Sequence, residues 1–199
     1  MFKYFIVVVL FLSSVTSSAQ QAYGDSLKVF RQQYVSELYD IIKDDTAHID
    51  FYPADENLVV MAKVELLFDQ LTFKMTTSSG KKKEAKKYAV LGFVVNGKQY
   101  QLFVYQLLAL TAKEASAHHL FLPFIDKTSG NGSYAGGRYI DMETTEIIEN
   151  KVYIDFNKAY NPYCAFVSGY NCPIPPRENV LPIAIKAGER YRKEKFKHK

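Results

Sequence analysis

No serine in this 199-residue chain stands between glycines in the order G-x-S-x-G. Without such small neighbours, the sharp strand-to-helix turn that exposes a hydrolase nucleophile cannot form. Ser129 and Ser133 have Lys127 and Asn131 two residues ahead of them. Also missing are the phosphate-cradling G-x-x-x-x-G-K-[ST], since Gly92 to Lys98 is followed by Gln99, the zincin H-E-x-x-H and the redox C-x-x-C, so the NTPase, zincin and thioredoxin-type readings lapse. Two cysteines and four histidines are the whole stock of soft ligands, and they lack the spacing of a four-ligand zinc site. His118 and His119 are adjacent, and neighbours on an extended chain point to opposite sides. Neither a metal site nor a cofactor is expected.

Strong charge is lacking too. The formal net charge is +4, part of it from Lys3, whereas a nucleic-acid binder shows a stronger, clustered basic face. The run Lys81 to Lys87 reads as a solvated turn that joins two strands and keeps them from pairing with other chains. Long apolar segments are absent as well. The longest, Tyr4 to Leu12, falls well short of the roughly 20 residues that span a bilayer. Lys3 before it and Ser17-Ser18-Ala19 after it make residues 1–19 a secretory signal, cut before Gln20. No cysteine follows the apolar run to carry a lipid. The mature chain, 20–199, is thus expected to be one exported domain, periplasmic or extracellular, with no transmembrane segment.

What the chain does contain is ordered patterning. Leu27, Phe30, Tyr34, Leu38 and Ile41 recur every three or four residues, which predicts an amphipathic helix over 25–43, capped by Asp25 or Ser26. From Ile49 the period falls to two, and Leu58 to Phe68 and Leu71 to Thr77 read as strands. Asn96-Gly97 between Tyr88–Val95 and Lys98–Tyr105 is the preferred two-residue hairpin turn, since both central residues need positive φ. Counting outward pairs Phe93 with Tyr100, Leu91 with Leu102 and Ala89 with Val104, and leaves Val94, Gln99, Gly92 and Gln101 on the wetter face. Thr111 to Ala117 suggests a helical turn. Strands are expected from Leu120 to Ile125, around Gly137 to Met142, over Val152 to Phe156 and over Val180 to Ile185. The segment 189–199 reads as a basic tail. The fold class that follows is all-β and mainly antiparallel: a barrel or a sandwich of about eight strands, with the N-terminal helix packed on it and a long ordered loop region over 157–179.

The densest stretch runs from Phe121 to Arg190, where turn formers alternate with tyrosines that must be buried somewhere. Cys164 and Cys172 bracket a seven-residue loop within it. An even pair in an exported chain reads first as a disulfide; two buried thiols, or a reactive thiol with a lowered pKa, are the alternatives. The motifs Leu120-Phe-Leu-Pro-Phe-Ile-Asp-Lys-Thr-Ser-Gly130, Tyr134-Ala-Gly-Gly-Arg-Tyr139, Asp155-Phe-Asn-Lys-Ala-Tyr-Asn-Pro-Tyr-Cys-Ala165, Cys172-Pro-Ile-Pro-Pro-Arg-Glu-Asn179 and Ala187-Gly-Glu-Arg190 resemble the successive signatures of a domain of unknown function found in bacteria and archaea. Phe51-Tyr52-Pro53 is similar to a further element of it. Ile125 departs from the pattern, where members often carry arginine. The resemblance implies a fold and a place to look, but no reaction, substrate or cofactor; it also implies that relatives in reducing compartments carry the same cysteine pair.

Polar residues in that stretch form a candidate cluster: Tyr134, Arg138, Tyr139, Asp155, Asn157, Tyr160, Asn161 and Asn179. It reads either as a pocket with stacking and hydrogen-bonding groups or as a buried Arg138–Asp155 pair with asparagines satisfying loop backbone. Two functions follow. The leading one is a non-catalytic binding or envelope-associated module that meets a glycan, a peptide or an envelope protein. The alternative is a carboxylate-dependent, hydrolase-like enzyme with Asp126, Asp155, Glu178 and Glu189 as its acid and base candidates, which requires two carboxylates facing one open cleft, about 5–10 Å apart.

Overall fold

The computed structural model describes residues 2–68 and 70–196, with side chains from residue 20 onward. Seven strands form one curled, half-barrel sheet: β1 (Val59–Leu66), β2 (Phe73–Thr76), β3 (Lys82–Val95), β4 (Lys98–Leu107), β5 (His119–Phe124), β6 (Arg138–Glu143) and β7 (Lys151–Asp155). Their order is β6-β5-β4-β3-β1-β7, with β2 on the free stretch of β3, and every ladder is antiparallel. The β3–β4 hairpin turns at Asn96 and Gly97, both with positive φ. Its register pairs Phe93 with Tyr100, Leu91 with Leu102 and Ala89 with Val104, as the sequence predicts. Beyond Ala89 the count slips by one, because Tyr88 is an extra residue and Lys87, not Tyr88, faces Tyr105.

That bulge has a consequence for packing. Side chains alternate faces along a strand, so one inserted residue exchanges the faces. Ala89, Leu91 and Phe93 lie in the main core with Leu102, Val104, Leu122, Phe124, Ile140 and Ile154. Before the bulge, Ala85 joins Met75, Tyr105, Leu107, Phe121 and Tyr139 in a second, smaller core on the opposite face. A sheet with apolar side chains on both faces needs cover on both. The irregular region supplies it outside, with Tyr160 packed against the small core.

The N-terminal helix α1 spans Phe2–Ile42. Leu27 and Leu38 on it are buried, and Phe30, Tyr34 and Ile41 are partly so, which is the stripe that the three-to-four spacing predicts. The helix passes through Asp25 and Ser26 unbroken, so neither caps it. The side chains of residues 1–19, the predicted leader, lie outside the described residues. Among the described residues no helix is long and apolar enough to cross a membrane.

Three other expectations are corrected. Lys82 to Lys87 is the start of β3 rather than a turn; the reversal sits at Ser78–Gly80, and Met75↔Lys83 and Phe73↔Ala85 pair across it. Among the described residues Val180 to Ile185 is no strand of the sheet, whose seven strands agree with the about eight expected. Pro182 lacks the donor a ladder needs; the segment instead runs parallel beside Ile125, with Leu181 N donating to Ile125 O at 2.8 Å and Lys127 N to Ile183 O at 2.9 Å. Residues 189–196 are not a frayed tail. Glu189 is fully buried, Tyr191 and Phe196 stack at 5.5 Å, and Phe196 packs with Leu38 and Ile42 of α1. Residues 197–199 lie outside the described residues.

Candidate functional site

The polar residues of the C-terminal half sort into a closed brace and an open cleft. The brace centres on Arg138, at 0% exposure the largest fully buried side chain. Gly137 just before it has φ +87°, and a Cβ there would lie 2.5 Å from Phe124 O; only glycine lets β6 begin so close to β5. The Arg138 guanidinium donates to Asp126 Oδ1 at 3.3 Å, Thr128 Oγ1 at 3.2 Å and Ile185 O at 2.8 Å, and also to Ala187 O. Asp126 further accepts from the amides of Thr128 at 3.1 Å and Ile185 at 2.7 Å. The expected Arg138–Asp155 pair is absent. β6 and β7 are the two edges of the sheet, so Asp155, at the end of β7, instead accepts from Tyr23 Oη of α1 at 3.1 Å and from Asn157 N at 3.0 Å.

Three fully buried asparagines bond backbone as a strand would. Asn157 exchanges both bonds with Asp55, at 2.9 and 2.8 Å. Asn179 does the same with Phe103, at 2.8 Å each way, and also donates to Pro123 O at 2.6 Å. Asn161 accepts from Tyr134 N at 3.3 Å and donates to Arg190 O at 3.0 Å. Glu189 lies beside them. Its Oε2 accepts from Tyr34 Oη at 2.8 Å and Asn161 N at 2.7 Å, while Oε1 is buried with no partner among the described residues. Burial raises its pKa to about 8, against the opposing pull of those bonds and of Arg138. At neutral pH this carboxyl is therefore mostly protonated, and it ties α1 to the domain through Tyr34.

The cleft lies on the opposite face of the sheet, over the small core. It encloses about 350 Å³ between β5, β6 and the irregular region, and its lining includes His119, Phe121, Tyr139, Asp141, Tyr160, Tyr163, Tyr170 and Asn171. Strand alternation explains the membership: His119 and Phe121 share one face of β5, and Tyr139 and Asp141 share the facing side of β6, with Phe121 opposite Asp141. Phe121 and Tyr139 meet edge to face at 4.7 Å, and Tyr139 and Tyr160 at 5.8 Å. Asp141 holds the polar end: Oδ1 pairs with His119 Nε2 at 3.0 Å, and Oδ2 accepts from Tyr160 Oη at 2.7 Å. Burial, then the nearby Asp141 charge, raises the Tyr160 pKa well above a phenol's ordinary value, so its proton stays. Cys164 and Cys172 form a disulfide, and the loop it closes carries Tyr170, which meets Tyr163 at 5.1 Å on the cleft wall.

Of the predicted cluster, only Tyr139 and Tyr160 line the cleft. Arg138, Asn157, Asn161 and Asn179 are buried braces, Asp155 joins α1, and Tyr134 packs on Tyr191 at 5.3 Å. None of Asp126, Asp155, Glu178 and Glu189 lines the cleft. Glu178 instead pairs with Lys87 at 2.9 Å and Tyr105 at 3.3 Å. Asp141 escaped the reading of the sequence, which weighed His119 only as a metal ligand beside His118. The signal for Asp141 and His119 was strand parity, which puts both beside Phe121 and Tyr139 once β5 and β6 pair. Among the described residues no group of three or more histidine, cysteine, aspartate or glutamate side chains is arranged to hold a metal.

Comparison with known proteins covers the same ground. A family profile described as "Protein of unknown function (DUF1684)" matches residues 44–190, a span that contains both brace and cleft and begins after α1 ends. No curated protein matches the chain. The chain is similar to the solution NMR structure of an uncharacterized protein of Haloarcula marismortui, with 26% identity over 87% of this chain and 96% of that one and a TM-score of 0.66.

Proposed function

Because the chain belongs to the DUF1684 family of proteins of unknown function, whose description names no reaction, we propose from the cleft itself that it is an exported, non-catalytic binding module. The observation that carries this reading is the composition of the cleft: five aromatic side chains around a single carboxylate, Asp141. Apolar walls with a few convergent polar groups are what a small-ligand site requires. A carboxylate-dependent hydrolase requires two carboxylates facing one opening. Here Asp141 stands alone in the cleft, and both its oxygens are already engaged. The glycan, peptide or envelope partner is thus met by the tyrosines of β6 and the disulfide loop. The N-terminal pattern of Lys3, Tyr4–Leu12 and Ser17–Ala19 supports delivery outside the cytoplasm, where a disulfide persists.

Amide spectra of 15N-labelled protein titrated with a fragment library containing sugars, peptides and small aromatics test the binding role. Shifts confined to residues 119–121, 139–141, 160–163 and 170–173 are the expected result. Shifts that map elsewhere, with the cleft silent, refute it. Export is checked by sequencing the N-terminus of the protein recovered outside the cytoplasm, which should begin at Gln20.

A further inference from the structure

We infer that the cleft takes a neutral sugar ring, a pyranose unit of a glycan, in preference to a charged ligand or a peptide. This rests on the binding reading above. Sugar rings present two different surfaces, an axial C–H face that stacks on aromatic rings and a rim of hydroxyls that both donate and accept. The cleft answers each. Its floor is the edge-to-face series Phe121, Tyr139 and Tyr160, of which Phe121 and Tyr139 are nearly fully buried, and the rings open to stacking are Tyr163 and Tyr170 on the outer wall, 39% and 38% exposed. Around the walls stand acceptors and donors with capacity left. The Asp141 side chain is 48% exposed, and a carboxylate with one bond to each oxygen retains further lone pairs. The Asn171 Oδ1 accepts from the hydroxyls of Thr77 and Ser79, which turns its amide donors the other way.

Charge and backbone exclude the other ligands. One lysine, Lys83, and one aspartate, Asp141, line the site, so their formal charges cancel and no arginine fork is present for a phosphate or a uronate. A cation finds one carboxylate, Asp141, among the lining residues, with Lys83 also on the wall. A peptide bound by strand addition needs a free strand edge. β5 is paired on both sides, and β6, the edge strand, is covered beside the cleft at Tyr139, which exchanges both bonds with Tyr160 at 2.9 and 3.0 Å, so the edge left for strand addition is short. The volume of about 350 Å³ is near the lower end of small-ligand sites and matches one or two rings rather than a long chain.

The decisive experiment titrates the 15N-labelled protein with cellobiose, maltose, N,N′-diacetylchitobiose, digalacturonate and trialanine, each to about 10 mM. At least one neutral disaccharide should shift the amides of residues 139–141 and 170–173. Tyr170→Ala, a surface change that leaves the core intact, should weaken that binding about tenfold, and Asp141→Asn should weaken it by several-fold. If digalacturonate or trialanine shifts these amides and no neutral disaccharide does, the sugar inference is overturned while the binding reading stands. Silence in the cleft with all five overturns the inference, and silence with the wider library as well overturns the binding reading.

Discussion

Replacing Arg138 by methionine is the sharpest test of the buried brace. The side chain is 0% exposed and spans from Asp126 to the carbonyls of Ile185 and Ala187. Methionine fills much of its volume but donates nothing. Asp126 then keeps the amides of Thr128 and Ile185 and the Thr128 hydroxyl, so its charge is not bare, yet it loses its only cationic partner among the described residues. Three carbonyls, those of Ile185, Ala187 and Glu189, lose a charged donor in a dry interior at the same time. Removing one member of a buried pair costs about 3–5 kcal/mol, a large share of the roughly 5–15 kcal/mol that holds a domain folded. With a urea slope of about 2–3 kcal/mol per molar, Arg138→Met should lower the unfolding midpoint by more than about 1 M. Asp126→Ala should lose at least as much, because the Ile185 amide loses its acceptor too. The double variant should lose clearly less than the sum. Asp155→Ala is the control. Partly exposed and bonded to Tyr23 and Asn157, it should cost only about 1–2 kcal/mol. A midpoint for Arg138→Met within about 0.3 M of wild type, well inside the shift that the same urea slope demands, refutes the brace.

Glu189 gives a pH prediction. Its pKa rises from 4.5 to about 8 on folding, so the unfolded chain releases this proton first as pH rises. The contribution is full below about pH 4.5, falls between about 4.5 and 8 and is gone above, a loss on the order of 5 kcal/mol. Glu189→Gln should flatten that part of a stability-against-pH curve measured in urea; an unchanged slope speaks against a protonated Glu189. Reducing Cys164–Cys172 opens a seven-residue loop and should cost about 2–3 kcal/mol, read as a lower melting temperature with dithiothreitol. An unchanged melting curve, with both thiols shown to be alkylated, contradicts it.

How much of this was legible depended on how local the physics was. The hairpin register followed from Asn96-Gly97 alone, because turn geometry fixes the pairing that follows. The α1 stripe followed from period. Asn157, Asn161 and Asn179 were read either as ligand groups or as groups that bond backbone, since irregular chain must satisfy its own amides, and local sequence does not choose between the two. Arg138 was read either as part of a pocket or as a buried partner of Asp155; Asp126 was not named as its partner, because the two aspartates are equally plausible until strand order puts β7 on the far edge. Glu189 was read as the start of a basic tail, from the lysines and arginines after it, and as an acid or base candidate. What buries it is Gly188, whose φ of +74° and absent Cβ let the chain pass where a Cβ would lie 2.5 Å from Ala159 O, and that close approach is a long-range fact.

The cleft itself rests on a feature that composition hides. Had β3 kept its alternation from Val95 to Lys82, Ala85 would face the main core and Lys86 the small one, placing a charge under Tyr105. The extra residue at Tyr88 exchanges the faces instead, so that Ala85 supports Tyr105, Phe121 and Tyr139 from below. Small residues at both 85 and 89 are the trace of this in the sequence: each is at 0% exposure, each in a different core, and their even-numbered separation would otherwise put them together. A bulge twists its strand as well as inverting it, and β2 pairs only with the stretch of β3 before the bulge. The second core, and with it the aromatic floor under Asp141, therefore exists because β3 is one residue longer than its partner requires.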